Sequence, residues 1–281
     1  MEERVLREIR WYRRAVLDEK KFLKWQEQLL VEGIRLEISD LLPPVKREEE
    51  PGVLYLTDCE LTASYLEKAG YPVLGFSHEG NRQETFSDIR FLAESWEALE
   101  ADYLEQVYRR YKKLPWHILS TRRCQIRETV EEDVDAFYRI YEAPSITRYM
   151  EGLYEDREEE RRYITEYRRS MYEFYGFGIW TVILRSTGEI IGRAGITLRS
   201  EEELPELGFV IGVPWQRQGI AKEVCRAILA YGRDRLYLDR IQAFVEPGNQ
   251  VSERLLTDLG FAFQGEYEEQ GKQYLRFGRA L

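Results

Sequence analysis

Residues Glu206 to Glu223 read ELGFVIGVPWQRQGIAKE. Leu207 to Val213 are apolar or small, as a strand is; Pro214 and Gly219 break the run, and from Ile220 apolar residues return at helical spacing. A strand that turns tightly into a helix opening at a glycine makes an anion site. The first-turn amides have no intrahelical partner and carry the positive end of the helix dipole. Gly219 and Ala221 let those amides approach a bulky diphosphate with no side chain between, and Arg217 adds a cation at the rim.

The pattern continues on both sides of this stretch. Upstream, a strand at Cys124–Glu128 and a helix at Glu131–Tyr141 are expected, then a charged helix over Arg157–Tyr172 and a hairpin of Gly178–Leu184 with Ile190–Leu198 turning at Ser186–Glu189. Downstream come a strand at Arg240–Val245, a helix at Gln250–Asp258 and two strands at Phe261–Gln264 and Lys272–Phe277. Leu114-Pro115-Trp116 marks a joint, so domains are expected at 1–113 and 114–281. The first part reads as a helix over residues 3–32, a charged linker at Lys46–Glu50, and a small three-layer α/β module. That module has strands at Val53–Leu56, Val73–Phe76 and Arg90–Ala93, with helices at Glu60–Ala69 and Trp96–Lys113. Asp58 ends its first strand, where open α/β sheets place ligand groups, but no glycine-rich loop follows, and Asp58 reads as a helix N-cap. The aromatics Trp11, Trp25 and Trp96 of this part require burial or a contact surface.

Composition narrows the function. A chain of 281 residues fits two domains. No uncharged apolar run reaches the ~18 residues of a membrane span, and the opening MEERVLREIR has no signal-peptide core, so a cytoplasmic protein with no membrane partner is expected. A formal charge of −10 argues against a nucleic-acid partner. Cys59, Cys124 and Cys225 lack paired spacing, so neither disulfides nor a metal site is expected. His78 and His117 are the only histidines and neither accompanies a nucleophile motif, which excludes a histidine-dependent hydrolase.

The hexad Gln216-Arg217-Gln218-Gly219-Ile220-Ala221, with Asn249-x-x-Ser252 and Leu259-Gly260-Phe261 after it, resembles the pyrophosphate loop and following helix of the GNAT acetyltransferase superfamily. Together with Glu206-Leu207-Gly208-Phe209 it is similar to the ribosomal-protein N-terminal acetyltransferase branch, and the likeness runs from about residue 120 to the end. The resemblance implies an α/β (α+β) fold with a mixed central sheet flanked by helices. It also implies acetyl-CoA as co-substrate and an N-acetyltransferase acting on a primary amine, of a small molecule or of a peptide or protein N-terminus.

Implied cofactor contacts are the backbone of Phe209, Val210 and Ile211 along the pantetheine, residues Gln216 to Ala221 at the pyrophosphate, and Asn249 and Ser252 beyond. Asn249 reads equally as an N-cap. Glu206 is the expected base, with Glu268 in reserve; alternatively Glu206 is one more solvated acid beside Glu201, Glu202 and Glu203. The family's usual acid is a tyrosine seven residues past the loop asparagine; Leu256 stands there, and Ser252 is the substitute hydroxyl. Tyr149, Glu151, Tyr154 and the acidic run Glu155–Glu160 are expected along the acceptor's path, though the run also has the ion-pair spacing of a solvated helix. The alternative to an enzyme is an acetyl-CoA-binding sensor acting through residues 1–113. A homo-oligomer is compatible with either.

Overall fold

The structure, a computed structural model, describes residues 4–14, 18–44, 50–198 and 204–281. The chain divides into two compact units, Met1–Trp116 and His117–Leu281, each with its own sheet. Among the described residues no helix is long and apolar enough to cross a membrane.

The first unit runs β1 (Glu8–Tyr12), α1 (Glu19–Val31), β2 (Arg35–Ile38), β3 (Val53–Thr57), α2 (Glu60–Lys68), β4 (Val73–Phe76), β5 (Leu92–Ala93) and α3 (Ala101–Tyr111). Its five strands are all parallel, in the order β2-β1-β3-β4-β5. Every residue of β3 is buried, as a central parallel strand requires. Leu54 and Leu56 join a cluster with α1 and α3, whereas Val53 and Tyr55 join one with Leu66 of α2, giving three layers. Trp11, Trp25 and Trp96 meet edge to face with centroids 5.5–6.1 Å apart, so their burial is satisfied inside this unit.

Several expectations fail here. β2 forms where no strand is expected, the strand expected over Arg90–Ala93 is only Leu92–Ala93, and the helix expected over Trp96–Lys113 is a 3₁₀ turn at Trp96–Ala98 followed by α3. Residues 3–32 are not one helix: Glu8–Tyr12 is a strand, and the helix starts only after Asp18, whose carboxylate caps the amides of Lys20 and Lys21. Ile9 and Trp11 point to the core while Glu8 and Arg10 pair on the other face, a period of two that overrides the helical spacing of Val5, Ile9 and Tyr12. Nor does Asp58 cap α2. The cap position is Cys59, the Glu60 amide donates to Glu84 (2.7 Å), and the Asp58 carboxylate instead accepts from the Arg14 amide (2.7 Å). The linker residues Lys46–Glu49 lie outside the described residues, as do Glu201–Glu203.

The second unit continues with β6 (His117–Ser120), β7 (Cys124–Arg127), α4 (Val134–Tyr141), α5 (Pro144–Thr147), α6 (Arg157–Tyr167), β8 (Ile179–Leu184), β9 (Glu189–Leu198), β10 (Pro205–Ile211), α7 (Ile220–Arg235), β11 (Arg240–Val245), α8 (Gln250–Asp258), β12 (Ala262–Glu269) and β13 (Lys272–Ala280). The strands form one mixed sheet, β12-β13-β11-β10-β9-β8-β7-β6. The charged helix expected over Arg157–Tyr172 changes at Arg168 to a wider π turn that runs to Glu173. One face of the sheet packs under α7 and α8 around Trp180, Ile196, Leu207 and Ala243. The other packs under α4 and α6 through Val210, Phe137, Ile140 and Ile164.

Candidate active site

β10 and β11 run parallel, yet they share a single register pair, Glu206 opposite Gln242. On its other side β10 pairs with β9 along its whole length. β10 is thus held from one side while β11 diverges toward the carboxyl ends, leaving a V-shaped opening in the sheet. Strand alternation decides which backbone groups face it. The Val210 carbonyl turns to β9, close against Gly192, and the Gly212 amide donates to Ile191 (2.8 Å). Phe209 and Ile211 therefore turn their backbone groups to the opening, where the Ile211 carbonyl already accepts from Gln216 Nε2 (2.8 Å).

Past Ile211 the chain folds through a short 3₁₀ turn at Val213–Trp215. Gln218 Nε2 donates back to the Pro214 carbonyl (2.9 Å), so the side chains of Gln216 and Gln218 shape the turn. Arg217 (φ 59°) and Gly219 (φ 74°) are both left-handed, which curls the backbone and gathers its N–H groups. Among the described residues the amides from Arg217 through Lys222 find no hydrogen-bond partner; the next, Glu223, donates to Gly219 (3.1 Å). Space in front of Gly219 is open, since a Cβ there would meet only Arg123 Nη2, at 3.7 Å. Six unpaired amides over open space, at the head of a 16-residue helix, fit a diphosphate.

Arg123 is a participant the sequence did not announce. Its guanidinium donates to the Gln218 carbonyl (2.8 Å) and to Glu223 (2.7 Å), and its amide donates to Glu223 as well (2.9 Å). Burial pushes the Glu223 carboxyl up, but hydrogen bonds from Thr121 and Arg123 outweigh it and hold the group below its ordinary value. The sign follows: the stabilisation is present at neutral pH and is lost as pH falls through that lowered value. Arg123→Ala would leave the Glu223 carboxylate without its guanidinium partner in the first turn of α7, where the unpaired amides lie. We expect coenzyme A affinity to fall about threefold to tenfold, with Arg123→Ala/Glu223→Gln recovering most of it, measured by calorimetry.

On α8, Asn249 Oδ1 accepts from the Ser252 amide (3.2 Å), so the N-cap reading is realised. Leu256, at the usual tyrosine position, is fully buried in the core. Glu206 lies on the sheet face away from α7, in line with Gln242, which is buried and tied to the Leu204 carbonyl (3.0 Å). Next along that face comes Phe244, with the rings of Tyr267 (4.9 Å) and Tyr274 (6.3 Å). These three half-buried rings form an aromatic cluster on the face that Glu206 shares, and motif reading missed it because each ring sits on a different strand. Glu268 is exposed on the β12–β13 hairpin, bonded to Gln273.

Of the acceptor-side residues, Glu151 reaches Lys272 on that hairpin (2.9 Å), and the Tyr149 hydroxyl lies beside Gly248. Tyr154 is held by its backbone, its amide donating to Glu160 and its carbonyl accepting from Tyr138. In the acidic run, Glu158 pairs with Arg161 and Asp156 with Arg162, the solvated-helix pattern, while Glu160 is buried. All three cysteines are free and buried, and burial pushes the Cys225 thiol up to about 12, which leaves it unreactive. Among the described residues no group of three or more His, Cys, Asp or Glu is placed to hold a metal.

Comparison with known proteins agrees with this geometry. The GNAT acetyltransferase domain family matches residues 123–262. The uncharacterised N-acetyltransferase YoaA of Bacillus subtilis is 32% identical over 151 residues, 53% of this chain and 84% of its own. The ribosomal protein uS5-alanine N-acetyltransferase of Escherichia coli is 33% identical over 114 residues, 40% of this chain and 55% of its own. Among solved structures, a ribosomal-protein alpha-N-acetyltransferase in complex with coenzyme A matches 59% of this chain and 98% of its own, with TM-score 0.50 at 14% identity, a likeness of fold.

Proposed function

Because this chain belongs to the GNAT acetyltransferase family, we propose that its second unit moves the acetyl group of acetyl-CoA onto the free amine at the start of a peptide or protein chain. The observation that carries the cofactor half is the row of six unpaired amides from Arg217 to Lys222 beside the β10–β11 opening. Bound acetyl-CoA supplies a thioester carbonyl activated toward amines. The amides of residues 217–222 hold its diphosphate, and the backbone of Phe209 and Ile211 aligns the pantetheine as an added strand would.

A free α-amine has a pKa near ~8 and is protonated in most molecules at neutral pH. Glu206, at the point where the strands part, takes that proton through water, and the neutral nitrogen then attacks the carbonyl carbon. A β10 amide steadies the charge on the carbonyl oxygen. As the carbon–sulfur bond breaks, the attacking nitrogen sheds its extra proton and the departing thiolate takes one up, with the Ser252 hydroxyl of α8 as the relay that gives one proton and receives the other. Support for a polypeptide acceptor comes from the uS5-alanine specificity in the name of one relative, and the aromatic cluster of Phe244, Tyr267 and Tyr274 offers a surface for its side chains.

The test is coenzyme A release measured with a panel of short peptides with free N-termini, polyamines and aminoglycosides. Turnover on peptides with little on the small amines is the expected result. Turnover only on a small amine overturns the polypeptide acceptor. Tight coenzyme A binding with no turnover on any amine would favour the sensor.

A further inference from the structure

The first unit leaves one sheet edge exposed. Among the described residues β2 pairs only with β1, and its four residues contain no proline, lysine or bulge; its protections are its short length and its two charges, Arg35 and Glu37, which are of opposite sign. The other edges differ: β5 has two residues, and β6 and β12 each carry a register shift, β12 with Glu266, Glu268 and Glu269 besides. Large apolar side chains are also exposed beside β2. Leu30 and Val31 close α1 just before the turn into β2, Ile38 ends β2, and Leu41 follows it, with Leu30, Val31 and Leu41 all more than three-quarters exposed. Exposed apolar side chains concentrated in the residues around one strand point to a contact surface.

We propose that this edge joins two copies of the chain, β2 against β2 in antiparallel register, into a ten-stranded sheet. The strand's own polarity selects this occupant. The Arg35 amide donates to Arg7 (2.9 Å) and the Ser39 amide to Trp11 (3.0 Å), so odd-numbered positions are bonded inward to β1. Leu36 and Ile38 consequently turn their N–H and C=O groups outward. With Leu36 opposite the partner's Leu36, the two residues exchange a pair of hydrogen bonds across a twofold axis.

That register also sets Arg35 opposite the partner's Glu37, and Glu37 opposite the partner's Arg35, in the rows where cross-strand side chains come closest. Shifting the axis by one residue would face Glu37 with the partner's Glu37. The sequence Arg35-Leu36-Glu37-Ile38 is thus charge-complementary to itself in one register and self-repelling in the next. Leu36 and Ile38 lie on the α1 face, opposite Ile9 and Trp11 of β1, so pairing also brings the exposed apolar residues of the two copies to one seam.

Sedimentation equilibrium of the full chain tests this. A dimer is expected, and Ile38→Lys or Glu37→Arg is expected to raise its dissociation constant by about tenfold or more. Arg35→Glu and Glu37→Arg chains, each weakened alone, are expected to associate when mixed, because each then meets its opposite charge. Circular dichroism and thermal melting of each variant separate loss of pairing from loss of fold. A full chain that stays monomeric at high concentration overturns the proposal. So does a dimer that folded Ile38→Lys forms as well as wild type. Folded charge variants that fail to associate on mixing overturn the register.

Discussion

Gly219→Val is expected to raise the dissociation constant of coenzyme A by at least about a hundredfold, ~2.7 kcal/mol. Two effects act together. The residue sits at φ 74°, a conformation costly to any residue with a Cβ and most of all to a branched one, about 1–2 kcal/mol. The new side chain would also fill the open space in front of the six unpaired amides, where a Cβ now meets nothing closer than 3.7 Å. Calorimetry of coenzyme A binding, with thermal melting beside it, separates the two. Gly219→Asn, which tolerates the backbone conformation better, is expected to keep the melting temperature near wild type while still binding weakly. Wild-type affinity in both variants would remove the diphosphate from this loop.

The second large effect concerns proton removal. Glu206→Gln keeps the size and hydrogen bonding of the side chain but accepts no proton, and the turnover number is expected to fall by about 10²–10⁴. The pH profile carries the sign. With Glu206 present, rate rises once the carboxylate is ionised and the amine can surrender its proton within the complex. Without it, only amine already neutral in solution reacts, so the rise moves up toward the amine's own value, near ~8 for a chain terminus. Steady-state rates between pH 6 and 9 read both. An unchanged rate and profile would make Glu206 structural and direct attention to Glu268.

The two units differ in how far their sequence could be read. Where one period dominated, elements were legible to the residue: Val73–Phe76, Arg240–Val245 and Gln250–Asp258 match their expected bounds. β1 was missed because Val5, Ile9 and Tyr12 satisfy a helical period while Ile9 and Trp11 satisfy a strand's, and only the neighbouring β3 decides between them. β2 was missed because its charged positions alternate on an exposed edge and leave little apolar signal. At the candidate site, the turn from β10 into α7 was legible because it is a backbone shape, and glycine is the residue that shape demands. Arg123 and the ring set Phe244, Tyr267 and Tyr274 were not, because each is brought to the site by strand pairing across long sequence separations.

The unpaired amides of residues 217–222 are groups that every residue except proline carries. Contacts built from them place their demand on backbone shape, set by Gly219, Gln216, Gln218 and Arg123, more than on the side chains at the amides themselves. The proposed acceptor surface of Phe244, Tyr267 and Tyr274 is the opposite case, made wholly of side chains. Random substitution should therefore fall unevenly on the two halves of the reaction, leaving use of the acetyl donor largely intact while readily redirecting which amine receives it. A chain built this way can change its target in small steps without first losing its chemistry.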